Sequence, residues 1–249
     1  MFRTLSVFFH NGRQFIPSIR SAELREPFRG RPVITTIRID EKKAAALCPV
    51  KAIGTAPLSI DMGRCLFCGE CARAFPEKII FTADHKISAN KREDLVIHAG
   101  NDLPVHVDRY AVRKEIRSVC GRSMKLRQVS AAGDNSTEWE LGASGNVQFD
   151  MGRFGIEFVA SPRHADGIVI TGPVSVNMAR ALQICHDSTP SPQIIILAGT
   201  DAISGGIWNG SSAIDRSFID RHKVDLYIPG NPPHPLTIIN GILDLMTWD

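Results

Sequence analysis

Cys48-Pro49-Val50-Lys51-Ala52-Ile53 and, further on, Cys65-Leu66-Phe67-Cys68-Gly69-Glu70-Cys71 decide how the first third of this chain folds. The second stretch is C-x2-C-x2-C, a spacing that lets one tight loop aim several soft ligands at a common centre. Four of the six cysteines lie between 48 and 71; the others are Cys120 and Cys185. A chain of 249 residues with 43% hydrophobic content has core enough to do without disulfide staples. The clustering therefore predicts metal binding and a reducing compartment. Thiolates at this spacing suit iron–sulfur clusters and zinc alike.

The fourth ligand separates the two. In two-cluster ferredoxins the run continues x3-C-P, and that last cysteine serves the other cluster. Here Phe75 stands in its place, with Pro76 kept. Counting back from Cys48 by the same spacing gives Ala44, Glu41 and Arg38. Under crossed ligation, Cys48, Cys65, Cys68 and Cys71 all belong to one cluster, and every missing thiolate belongs to the other. The pattern predicts one [4Fe–4S] cluster present and one absent; structural zinc on the same four thiolates is the competing reading. Together with Phe28-Arg29-Gly30-Arg31-Pro32 and Ile60-Asp61-Met62-Gly63-Arg64, these motifs resemble the ferredoxin-like subunits of membrane-bound hydrogenases, formate hydrogenlyase and complex I. The resemblance covers residues 1–97 and implies a ferredoxin-like domain behind a leader.

Working outward, the leader carries Phe2, Leu5, Phe8 and Phe9 among arginines. It predicts a short amphipathic helix broken near Asn11-Gly12, packed on its own domain or turned to a partner or membrane surface. Residues 98–117 are polar and contain Asn101-Asp102 and Pro104, a connector. Beyond it, apolar runs recur at Leu126–Val129, Gly155–Ala160, Gly167–Thr171, Ile194–Leu197 and Val224–Ile228, each closed by turn residues. Helical spacing appears at Val174–Ile184 and from Pro235 to Met246. Strands alternating with helices predict a doubly wound parallel sheet over residues 118–249, so the fold class is α/β plus α+β.

Composition excludes several functions. Net charge is +3, too small to argue for nucleic acid. No apolar run reaches the ~18 residues of a membrane span, and no secretory signal is evident. The eight histidines are scattered, without H-E-x-x-H. No G-x-S-x-G elbow occurs. The glycine-rich Gly199–Gly206 segment matches neither G-x-G-x-x-G nor a P-loop, which leaves phosphate binding a weak alternative.

Four segments fall at strand ends, where open parallel sheets bind ligands: Ala131–Glu138, Ser161–Asp166, Gly199–Trp208 and Pro229–Pro233. With Asp150–Ala160 and Val224–Ile228, they are similar to the small subunit of group 4 [NiFe]-hydrogenases and the homologous cluster-bearing subunit of complex I. The resemblance implies a flavodoxin-like fold. It also implies four cysteines for a proximal cluster, at positions where this chain has Asp134, Thr137, Asp201 and Asn231. Such residues do not ordinarily hold four irons, so that cluster is expected to be lost. Asp134, Asp201 and Asn231 either form a hard-cation site or simply fill a vacated space. Arg153, Arg163 and His164 match a region that in the family faces a large subunit; an Arg163–Asp166 brace is the alternative.

The whole therefore resembles a fusion of two subunits. It implies an electron-transfer or assembly subunit of a membrane-associated oxidoreductase, with one [4Fe–4S] cluster and a cluster-free docking domain. Implied partners are a hydrogenase-large-subunit-like or complex I-like soluble subunit and membrane subunits. The implied location is cytoplasmic, held on the inner membrane's cytoplasmic face through those partners. The alternative is a structural or regulatory subunit whose cluster only braces the fold; a flavin or nucleotide-binding reductase is a third reading.

Overall fold

A computed structural model describes residues 2–12, 14–108, 110–112, 114, 116 and 120–246. Phe2–Asn11 forms helix α1, ending where the sequence predicted. Two strand–helix–strand units follow. The first is β1 (Pro32–Ile34), α2 (Glu41–Ala46) and β2 (Ile53–Gly54). The second is β3 (Ser59–Asp61), α3 (Glu70–Ala74) and β4 (Ile79–Phe81). The outer strands β1 and β4 pair antiparallel, as do the inner strands β2 and β3, and β5 (Val96–His98) adds to β3. The helices are short because each spans only the gap between a strand and a cysteine loop. Asp40 caps α2, its carboxylate accepting from Lys43 N at 3.1 Å.

The second half is a five-stranded, wholly parallel sheet. In chain order it consists of β6 (Met124–Ser130), α4 (Ser136–Ser144), β7 (Ile156–Phe158), β8 (Gly167–Thr171), α5 (Val176–Asp187), β9 (Ile194–Ala198), α6 (Thr200–Ser204), α7 (Ser217–Arg221), β10 (Leu226–Ile228) and α8 (Pro235–Leu245). The spatial order is β10-β9-β8-β6-β7, consistent with a flavodoxin-like domain. β8 and β9 are buried at every position, which is why their sequences read as unbroken apolar runs. The order reverses between β6 and β8. There Gly133 and Gly172 meet backbone to backbone; a Cβ on Gly172, whose φ is +78°, would lie 2.4 Å from Gly133 N.

Of the predicted strands, Leu126–Val129 and Ile194–Leu197 lengthen to Met124–Ser130 and Ile194–Ala198, Gly155–Ala160 and Val224–Ile228 shorten to Ile156–Phe158 and Leu226–Ile228, and Gly167–Thr171 forms as read. The helix expected from Val174 starts at Val176: Val174 sits at φ +63°, and Ser175 caps the helix through Met178 N. Ala131–Glu138 and Gly199–Trp208, read as strand-end segments, each carry the start or the whole of a helix, α4 and α6. No described helix is long and apolar enough to cross a membrane.

The two halves share one of two buried clusters. Ile34, Leu58, Ile60 and Leu95 pack in the same cluster as Val129, Ile170, Leu197 and Ile203. Ala89 and Tyr227 exchange backbone hydrogen bonds of 3.1 and 2.8 Å, adding an antiparallel rung beside β10. Asn240, buried on α8, donates to Ile19 O at 3.0 Å and so ties the leader to the last helix.

Candidate functional site: four thiols on one cavity

The cysteine loops converge because the two strand–helix–strand units face each other. Cys48, Cys65, Cys68 and Cys71 line a single small cavity of about 20 Å³ with Ile60 and Phe81 among its walls. Cys65 is buried, Cys48 and Cys71 are half-buried, and Cys68 reaches solvent. Backbone donors already point at the sulfurs: Ala52 N–H to Cys48 Sγ at 3.2 Å and Phe67 N–H to Cys65 Sγ at 3.3 Å. Burial pushes the Cys65 thiol up to about 12 and Cys71 up to about 11, and the neighbouring cysteines add to both shifts. Such thiols ionise only when a cation takes the charge, which is how metal ligands behave. Among the described residues, no three His, Cys, Asp or Glu side chains converge as the ligands of one metal ion do. Four thiols around one hydrophobic hollow, with amide donors on two of the sulfurs, could hold either zinc or a multi-iron group.

The loop carrying Cys65–Cys68 is clamped from outside. Arg29 Nε donates to Phe67 O at 2.5 Å, and Arg73, ion-paired with Glu70, lies 3.4 Å from Cys68 O. Thr200, from the start of α6, is 2.9 Å from Cys65 O. None of these three was marked by the motif; each contact joins residues that only the fold brings together.

The positions read as an erased second site are otherwise employed. Ala44 is fully buried and Phe75 packs against the same core. The Glu41 carboxylate accepts from Ala56 N at 2.8 Å and Leu58 N at 3.3 Å, bracing the β2–β3 turn. Arg38 is exposed.

In the parallel sheet, Asp134, Thr137 and Asp201 gather at one corner of the strand ends. Asp134 accepts from Ser136 Oγ at 2.6 Å and Ser136 N at 2.9 Å, which holds its carboxyl below the usual range. Burial raises the carboxyl of Asp201, and the charges of Asp134 and Glu138 add to the shift. Thr137 is buried, its hydroxyl 2.7 Å from where a Cβ on Gly199 would stand. Asn231 is exposed and lines a separate cavity of about 230 Å³ with Arg29, Phe67, Cys68 and His234. Glu138, which the sequence did not single out, bridges β6 and β8, accepting from Ser130 Oγ and Thr171 Oγ1 at 2.6 Å each.

Arg153 is engaged within the chain: it donates to Ile16 O at 2.6 Å and lies over the rings of Phe15 and Phe154. Arg163 and His164 are exposed on the turn Pro162–His164. Asp166 does not brace Arg163; it accepts from Lys125 N at 2.7 Å. Cys120 is buried and Cys185 half-buried, both away from the four-thiol cavity.

The family model described as "NADH ubiquinone oxidoreductase, 20 Kd subunit" matches residues 135–245. "Probable membrane-bound hydrogenase subunit mbhJ" of Pyrococcus furiosus is 31% identical over 139 residues, covering 55% of this chain and 83% of that protein. The B-type subunit of the NADH-quinone oxidoreductase of a Nocardioides species is 41% identical over 108 residues, 43% of this chain and 58% of its own. The counterpart from Heliobacterium modesticaldum is 41% identical over 107 residues, with 61% of that protein covered. The chain thus spans about three fifths of these NADH-quinone oxidoreductase relatives. A solved structure, of the membrane-bound sulfane sulfur reductase (MBS), an archaeal respiratory membrane complex, aligns at TM-score 0.46 and 27% identity over 52% of this chain and 72% of that one.

Proposed function

The chain belongs to the family of the NADH ubiquinone oxidoreductase 20 kDa subunit and its membrane-bound hydrogenase relatives, and from that premise we propose that it is an electron-transfer subunit of a membrane-associated complex I-like or hydrogenase-related oxidoreductase. Residues 1–97 are the leader and a ferredoxin-like domain, 98–117 a connector, and 118–249 a cluster-free docking domain.

The observation that carries this is the four thiols on one cavity. Cys48, Cys65, Cys68 and Cys71 hold one [4Fe–4S] cluster, which supplies single-electron chemistry. The paired β1·β4 and β2·β3 strands support the ferredoxin-like reading. This chain's own part is to exclude water with Ile60 and Phe81, to donate Ala52 and Phe67 N–H to sulfur, and to leave Cys68 open to a partner. That exposed edge favours electron transfer over the bracing role, which needs no access. The gathered Asp134, Thr137 and Asp201, each turned to local hydrogen bonds or packing, support a second domain that carries no cluster and serves as a platform. Arg163 and His164, exposed and without an ion pair among the described residues, are its candidate contacts for a large subunit.

The test is iron and acid-labile sulfide per chain on anaerobically purified protein, with an EPR spectrum after dithionite. The expected result is about four irons and one reduced cubane signal. About eight irons would return a cluster to the second half, and a single zinc would replace the iron reading altogether. Cys68→Ser is expected to abolish the signal; unchanged iron in that variant would falsify the ligand assignment.

A further inference from the structure

We propose that Thr200, which belongs to the parallel-sheet half, is a positioning residue for the cysteine loop of the other half and sets the redox properties of the group that loop holds. The inference rests on the iron–sulfur reading above.

Thr200 opens α6 directly after Gly199 and is completely buried. Its N–H donates to Gly230 O at 2.8 Å, which fixes the residue against the end of β10. Its hydroxyl lies 2.9 Å from Cys65 O and 3.1 Å from Gly230 O. A hydroxyl has one proton to give. Gly230 O is already served by the Thr200 N–H, and no other donor reaches Cys65 O among the described residues. The proton therefore goes to Cys65 O. A second contact from the same helix reinforces the first: Ile203 packs on Gly63 so closely that a Cβ there would come within 2.9 Å of its Cγ2.

The consequence runs through three atoms of backbone. Cys65 O fixed by Thr200 sets the peptide that leads to Leu66 and Phe67. Phe67, at φ +53°, then aims its N–H at Cys65 Sγ, 3.3 Å away. Hydrogen bonds to cluster sulfurs are among the main levers on reduction potential, because they stabilise the extra negative charge of the reduced state. Loss of the Thr200 hydroxyl frees Cys65 O, lets the strained Phe67 peptide relax and weakens that bond. The reduced state then loses stabilisation, and the potential moves to a more negative value. The strand-end corner of the second half thus acts on the first half's metal group through one hydroxyl, with no ligand of its own.

The test compares Thr200→Val, which keeps the shape and removes the hydroxyl, with Thr200→Ser, which keeps the hydroxyl. Each full-length protein is titrated by EPR-monitored redox potentiometry after iron analysis. Thr171→Val serves as the control for losing a buried hydroxyl at a strand end away from the cysteine loop. The expected result is a more negative midpoint potential and an altered EPR line shape for the valine variant, wild-type behaviour for the serine variant, and an unshifted potential in the control. Iron loss confined to the valine variant also supports the inference. Equal shifts in the valine and serine variants, a shift in the control, or no shift in any of them overturns it. If wild-type protein holds no iron, the functional reading itself fails, and the iron analysis reveals that before any variant is compared.

Discussion

At the scale of single residues, identity matters less than what each side chain is left to do. Asp134 and Asp201 stand near each other at strand ends, yet Asp134 is spent on Ser136 and Asp201 is half-buried with its carboxyl pushed toward the neutral form. Neither offers sulfur, the donor that a four-iron cluster takes from cysteine. Asp134→Ala combined with Asp201→Ala is accordingly expected to leave iron content unaltered, as atomic absorption can check; a fall in iron would mean the strand-end corner holds metal. Glu41 illustrates the same point in the other half. Its carboxylate serves two backbone donors, so Glu41→Ala leaves both in need of a partner and should cost about 1–3 kcal/mol, read from chemical denaturation. That Cys48, Cys65, Cys68 and Cys71 belong together was legible from spacing alone. Arg29 and Thr200 lay inside segments the sequence did single out, but their contacts with the cysteine loop were not legible, because only the fold sets them beside it.

Among the elements, the fully buried strands β8 and β9 declare themselves in sequence, since burial on both faces demands an uninterrupted apolar run. Helices α4 and α6 do not. α6 has five residues, and α4 contains Gly142 and a mixed surface, so neither shows a clear apolar stripe. Helix α8 is buried over nearly its whole length and was recognisable, but its start depends on an uncommon cap. His234 Nδ1 accepts from Leu236 N at 3.1 Å, which requires the neutral imidazole. Burial, with His85 nearby, lowers its pKa to about 4. The unfolded chain takes up that proton nearer the ordinary value of about 6.5. Stability from this cap is therefore complete above that ordinary value and declines as pH falls toward the folded-state one. His234→Asn, which keeps a capping acceptor without the titration, is expected to flatten the Tm-versus-pH curve across this window. Parallel curves for the two proteins would show that the cap does not titrate there.

Over the whole molecule, the reading of two segments joined by a connector described composition well but did not reveal how closely the halves are joined. Val96–His98 pairs into the small sheet, and Val105, Val107, Val112 and Ile116 of the connector are buried. The shared core, the Ala89–Tyr227 rung and the Thr200–Cys65 bond pair residues far apart in the chain, beyond the reach of any local pattern. A molecule built this way should unfold as one unit. Thermal melts followed by far-ultraviolet circular dichroism and by visible absorbance of the proposed iron–sulfur group are expected to coincide. Two separated transitions would mean that the halves are thermodynamically independent despite their contacts.

The way positions 41, 44 and 75 are occupied has an evolutionary corollary. A cysteine restored at 44 places a thiol in a packed interior, one at 75 removes a ring from the core, and one at 41 strips the turn of its brace. Each step weakens the fold. Under the single-cluster proposal, adding a second centre is therefore uphill at each of these three positions.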